Sequence, residues 1–180
     1  INHNIKEKNN VVKTAYGEAM LKAINLCFPI CDRYKALAKE KGNEKLYNAL
    51  CKVPHKKADT FYEACVFIKI CVFFMRHSGL THIGFGRFDQ YMYPYYLNDK
   101  KNGVTDEELL EIIEEFFISL NRDTDLYHGI QQGDNGQSMV LGGFDGKGNS
   151  MYNELSQMCM QASLELSVID PKINLRVGKN

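Results

Sequence analysis

The chain has 180 residues, 44% of them hydrophobic, which is enough for a compact unit with a sizeable core. Lys+Arg and Asp+Glu both total 22, so no global field favours nucleic acid or an anionic membrane as partner. The longest apolar run, Ala64 to Met75, is broken by Lys69 and falls short of the ~20 apolar residues a spanning helix needs, and the start shows no basic stretch followed by an apolar one, so a cytoplasmic protein is expected.

From Val11 to Lys41 apolar residues recur at steps of two, three and four, which predicts a long helix; Pro29 inside it predicts a kink or a break into two. Gly42-Asn43 is a stop signal, and a shorter helix follows from Glu44 to Cys51. Thr60 and Glu63 have the spacing of a capping box, so a third helix runs from there to His77. It is apolar nearly all round, which predicts burial on most faces. Thr81 to Phe85 reads as a short strand leading to Gly86-Arg87, and Tyr91 to Leu97 as an aromatic-rich stretch around Pro94. A second capping box, Thr105 with Glu108, opens a helix whose Leu109, Ile112, Ile113, Phe116, Phe117 and Leu120 keep a 3.6-residue period. Gln137 to Leu141 is a short buried strand, Gly142 to Gly148 a turn-rich connection, Ser150 to Leu166 a helix, and Ile173 to Val177 a strand. No repeat, linker or low-complexity tract marks a domain boundary, so the fold class is α/β, mainly helical, in one segment spanning 1–180.

The chemistry-bearing residues each carry two readings. His82 with Arg87 and Asp89 would make an acid/base or carboxylate-binding site, or His82 is a structural histidine. Asp123, Asp125, His128 and Asp134 resemble a metal cluster, or are solvated loop residues. The six cysteines, Cys27, Cys31, Cys51, Cys65, Cys71 and Cys159, form neither a secreted-type framework nor a zinc pattern, and read as reduced, mostly buried thiols; no metal site is assigned. Gly84-Phe85-Gly86 lacks the third glycine of a dinucleotide loop.

One run is long enough to be specific. Gly86-Arg87-Phe88-Asp89-Gln90-Tyr91-Met92-Tyr93-Pro94-Tyr95-Tyr96 resembles the signature of glycyl radical enzymes of the pyruvate formate-lyase-like family, with Gly86, Arg87, Asp89 and Gln90 as its fixed points. Further blocks match in the family's order: Asp32-Arg33-Tyr34, Val53-Pro54, Thr60 to Ala64, Gln137 to Gly143, Asn153-Glu154-Leu155, and Pro171 to Val177. The resemblance covers about residue 15 onward.

The resemblance implies a segment of a longer chain built on a ten-stranded α/β barrel, usually a homodimer. In such enzymes a separate S-adenosylmethionine-dependent iron-sulfur activase installs a glycyl radical. A cysteine thiyl then abstracts hydrogen from a small polar substrate, and C–C or C–O cleavage follows. Neither the Gly-Cys-x-Glu of the thiyl nor the Arg-Val-x-Gly-aromatic of the radical glycine occurs in these 180 residues, so no catalytic residue is nominated and the segment alone is expected to be inactive. In diol-dehydratase-like members a His-Ser pair stands five and four residues before the Gly-Arg glycine. Thr81 and His82 occupy those places in the opposite chemical order. The resemblance thus nominates Thr81, His82, Gly136 and Gln137 as substrate-binding. Asp-Gln-Tyr after Gly-Arg, and Gly136 where pyruvate formate-lyase proper has a Trp, favour the dehydratase and decarboxylase branches over a true formate C-acetyltransferase. The alternative of another class is a non-catalytic helical binding or structural module.

Overall fold

The computed structural model describes residues 11–80, 82–122 and 136–178. By internal contacts the chain divides into two units, Ile1–Lys57 and Ala58–Asn180. The first holds α1 (Val11–Glu40) and α2 (Glu44–Leu50). The expected break at Pro29 does not occur: α1 runs through it as one helix, giving up the hydrogen bond that Pro cannot donate. Gly42 takes φ +69, and the Asn43 side chain then accepts the Leu46 N–H at 3.0 Å, so the stop of one helix is also the cap of the next. Asp32 accepts from Lys35 at 2.5 Å and lies 3.5 Å from His55 Nε2, while the Phe28 ring packs on the His55 ring at 4.6 Å.

The second unit is a three-stranded parallel sheet in the order β1 (Ile83–Arg87), β2 (Gln137–Gly142), β3 (Lys172–Arg176), with helices packed against one face. Parallel pairing needs crossovers. The first carries α4 (Phe88–Tyr91), α5 (Tyr93–Lys101) and α6 (Asp106–Asn121), and the second carries α7 (Glu154–Leu166). The aromatic-rich stretch is therefore helical. Pro94 sits in the first turn of α5, where a missing N–H costs nothing.

All six periodic residues of α6 are buried, as its pattern dictates. Phe116 stacks on Phe88 at 5.6 Å and meets Phe85 of β1 edge-on at 5.8 Å. Met139 and Leu141 of β2 and Leu155, Cys159 and Ala162 of α7 complete this core. Burying each large side chain contributes roughly 1.5–3 kcal/mol. The thiol of Cys159, wholly enclosed, is pushed well above its ordinary pKa by burial, so it is a hydrophobe and not a nucleophile.

The third helix of the chain, α3 (Phe61–His77), begins at the expected capping box, but the expectation of burial on most faces is not met. Phe61, Ala64, Cys65 and Val72 are buried against α5 and α6, whereas Phe67 is 42% exposed and Phe73 and Phe74 are half-buried. The last helix begins at Glu154 and not at Ser150, because Asn153 caps it reciprocally with Ser156. No described helix is long and apolar enough to cross a membrane.

Candidate functional site

Strand alternation sorts the residues of the sheet into two faces. Ile83, Phe85, Gln137, Met139 and Leu141 turn toward the helices and are buried. Gly84 and Gly86 are exposed on the other face, with Ser138 and Val140 half-buried beside them. The chemistry divides between the two ends of this sheet.

At the C-terminal end the Gly86-Arg87-Phe88-Asp89-Gln90 run leaves β1 and enters α4. Gly86 takes φ +58. Asp89 is fully buried, and its Oδ2 accepts the Gly142 N–H at 2.6 Å and the Ser156 hydroxyl at 2.6 Å. The Asn153 amide donates to the Asp89 carbonyl at 3.0 Å, and Gln90 Nε2 donates to the Met151 carbonyl at 2.7 Å. Arg87 Nη2 donates to the Gly142 carbonyl at 3.1 Å. The motif therefore ties the end of β1 to the end of β2 and to the start of α7. Its polar atoms hold backbone, and the charged hydrogen bonds among them are the stronger kind. Arg87 Nε and Asp89 Oδ1 are buried with no partner among the described residues.

At the N-terminal end β1 and β2 are paired with Ile83 opposite Gln137, so His82 stands opposite Gly136. The Ile83 N–H donates to the Gly136 carbonyl at 3.2 Å. Gly136 has φ +65, and a Cβ built there would lie 2.5 Å from His82 Cδ2 and 3.0 Å from His82 Nε2. The imidazole thus lies over the bare glycine while remaining exposed. Gln137 donates its N–H to Asp170 Oδ1 at 3.2 Å; its side-chain amide is wholly buried on the helix side, with neither polar atom partnered among the described residues. Thr81 and the cluster Asp123, Asp125, His128 and Asp134 lie outside the described residues. No group of three or more His, Cys, Asp or Glu that could hold a metal occurs among the described residues.

The structure brings His82 and Gly136 together but keeps His82 apart from Arg87 and Asp89. His82 stands before the start of β1, whereas Arg87 at its far end donates to the Gly142 carbonyl and Asp89 accepts from the Gly142 N–H and the Ser156 hydroxyl. The triad drawn from sequence proximity is not assembled, nor does His82 brace that motif. Two things were missed in the sequence. Ser138 shares the open face with Gly84, a point legible from period-2 alternation; Asn153 and Ser156 serve Asp89, which only their capping spacing could have hinted.

The pyruvate formate lyase-like family model matches residues 6–180. The chain is 30% identical over 129 residues to a (2S)-3-sulfopropanediol dehydratase of Klebsiella oxytoca, covering 67% of this chain and 16% of that protein. It is 25% identical over 146 residues to a 4-hydroxyphenylacetate decarboxylase glycyl radical subunit of Clostridioides difficile, covering 77% of this chain and again 16% of the relative. Among solved structures it matches the enzyme of 1,2-propanediol dehydration in Roseburia inulinivorans with a TM-score of 0.82 and 25% identity, covering 96% of this chain and 24% of that one. A glycyl radical enzyme from Archaeoglobus fulgidus matches with a TM-score of 0.76 and 26% identity, covering 85% and 22%. The chain thus spans between a sixth and a quarter of the length of these relatives. With nearly every residue inside the family match and the fold shared with glycyl radical enzymes, the chain belongs to the pyruvate formate lyase-like family.

Proposed function

We propose that the whole enzyme cleaves a C–O or C–C bond of a small polar substrate by thiyl hydrogen abstraction, and that this chain supplies one wall of its pocket. The observation that carries the reading is the exposed His82 imidazole laid over Gly136 at the open end of a parallel sheet. Parallel sheets are ordinarily covered on both faces, so the face of Gly84, Gly86 and Ser138 fits the inner wall of the ten-stranded barrel that the family resemblance implies. The radical itself comes from a glycine elsewhere in the enzyme, installed by a radical S-adenosylmethionine activase; it is the source of the hydrogen-abstracting thiyl. What this chain's residues do is bind and move a proton. A protonated imidazole can donate to a departing hydroxyl or pair with a carboxylate. Thr81, before it in sequence, adds a hydroxyl. Gly136, lacking a side chain, lets the ring lie flat against the strand. A homodimer in the cytoplasm completes the proposal, and the 180-residue polypeptide alone generates no radical.

The test uses the full-length enzyme, activated anaerobically with its activase and S-adenosylmethionine. The panel is drawn from the compounds named for relatives: 1,2-propanediol, glycerol, trans-4-hydroxy-L-proline, isethionate and 4-hydroxyphenylacetate. His82→Ala is expected to lower turnover by about 10²-fold or more, the loss typical of an acid/base group, with the glycyl doublet in electron paramagnetic resonance unchanged. Unaltered kinetics on a compound that the parent enzyme consumes would defeat the assignment of His82.

A further inference from the structure

Asp170 is wholly buried, and one side chain holds both of its backbone groups. Its N–H donates to Asn121 Oδ1 at 3.1 Å, and its carbonyl accepts from Asn121 Nδ2 at 2.6 Å. Asn121 is the last residue of α6, where Nδ2 also reaches the Phe117 carbonyl at 2.8 Å. With its carbonyl taken, Asp170 offers its carboxyl group to the sheet: Oδ1 accepts the Gln137 N–H at 3.2 Å. Asp170 lies two residues before Lys172, and Gly136 two before Ser138, the residue with which Lys172 pairs. The carboxyl group therefore stands where the β3 backbone would otherwise extend the ladder, next to Pro171, which has no N–H to give. One aspartate thus joins the end of α6 and the starts of β2 and β3.

The Gln137 side chain gives β2 no polar hold of its own, because its buried amide has neither polar atom partnered among the described residues, which opposes its burial. The Gly136 carbonyl accepts the Ile83 N–H, and the His82 ring lies on Gly136. A line of hydrogen bonds therefore runs from α6 through Asp170 to the strand end beneath the imidazole. From this we infer that Asp170, clamped by Asn121, is a positioning residue: by holding the Gln137 N–H it fixes Gly136 under the His82 ring. The inference rests on the proposed reading of His82 and deepens it by naming what aims the ring. Gly136 has no side chain with which to grip the imidazole, so the ring follows the backbone below it. A misplacement of about 1 Å can cost about 10²-fold in rate, so a bond that touches no substrate still governs turnover.

The experiment uses the full-length activated enzyme and the panel compound that the parent consumes fastest. Asp170→Ala, Asp170→Asn and Asn121→Ala are each made in the parent and in the His82→Ala background. In the parent, Asp170→Ala is expected to lower kcat about tenfold or more, with KM and the glycyl doublet little changed. Asp170→Asn, which keeps Oδ1 as an acceptor, should restore most of that loss. In the His82→Ala background Asp170→Ala should cause no further loss, because no ring remains to be aimed. A purely structural role would lower both backgrounds by the same factor. Asn121→Ala leaves the carboxyl group in place and decides the question if Asp170→Ala fails to fold; its loss of kcat should be smaller and again confined to the parent. If His82→Ala alone cripples turnover, equal losses in both backgrounds, or none in either, overturn the inference and leave the reading of His82 standing. If His82→Ala alone is silent, the reading of His82 falls and the inference with it.

Discussion

The two ends of one parallel sheet are built for opposite ends. At the C-terminal end Asp89 is enclosed and shared between the Gly142 N–H and the Ser156 hydroxyl, with Arg87, Gln90 and Asn153 bonding backbone around it. At the N-terminal end an exposed imidazole rests on a bare glycine, and a half-buried serine hydroxyl has no described partner. The part of the sequence that most plainly marks the family thus secures the frame. Of the pair that departs from the dehydratase pattern, Thr81 and His82, the described member His82 stands at the open end. On the proposed reading of His82, recognisability and reactivity do not coincide, because a frame tolerates less change than a pocket that must follow its substrate.

The comparison predicts effects of very different size. The largest is at the tied end: Asp89→Ala orphans two buried donors and should cost about 2–5 kcal/mol, with Asp89→Asn, which keeps an acceptor, costing less. Urea denaturation of the enzyme measures both, and a small effect of Asp89→Ala would dissolve the distinction between the ends. Next is Gly136→Ala, which forces a side chain into a left-handed conformation at a cost of about 1–3 kcal/mol and drives it into the imidazole. Turnover should fall with it. In a His82→Ala background the collision disappears, so the double variant should be less destabilised than the sum, by a coupling of about 0.5–3 kcal/mol.

The smallest effect is electrostatic and lies at the start of α7, beside the tied end. The Tyr93 hydroxyl donates to Glu154, and that hydrogen bond holds the carboxyl below its ordinary 4.5 and lifts the phenol to about 12. A carboxyl lowered by folding contributes stability above its unfolded pKa and loses it as pH falls through the lowered value. A phenol raised by folding contributes below its unfolded value near 10 and loses it as pH rises through about 12. Tyr93→Phe should therefore differ slightly from the parent at pH 7 and converge with it in strong acid, read as the urea midpoint against pH.

Local chemistry made much of the fold legible. Thr60 with Glu63 and Thr105 with Glu108 are reciprocal caps within four residues, so the starts of α3 and α6 follow from sequence alone. The buried face of α6 follows equally from its period. Where sequence reasoning failed, longer-range contacts had decided. The helices α4 and α5 escaped notice because aromatic residues around a proline carry no period; packing of Phe88, Met92 and Tyr96 into the core holds them helical, and Pro94 is harmless in a first turn. The partial exposure of α3 depends on what lies against it, which its composition cannot encode.

The candidate site divides in the same way. Sequence by itself determined the family, the presence of His82 before Gly86, and glycines at positions 84, 86 and 136. Tertiary structure alone decided that His82 faces Gly136 across 54 residues of chain and not Arg87 five residues away. Spacing in sequence measures distance only when the backbone between two residues is known. An extended strand carries near neighbours apart, while parallel pairing, sustained by hydrogen bonds between strands, brings distant ones to one edge.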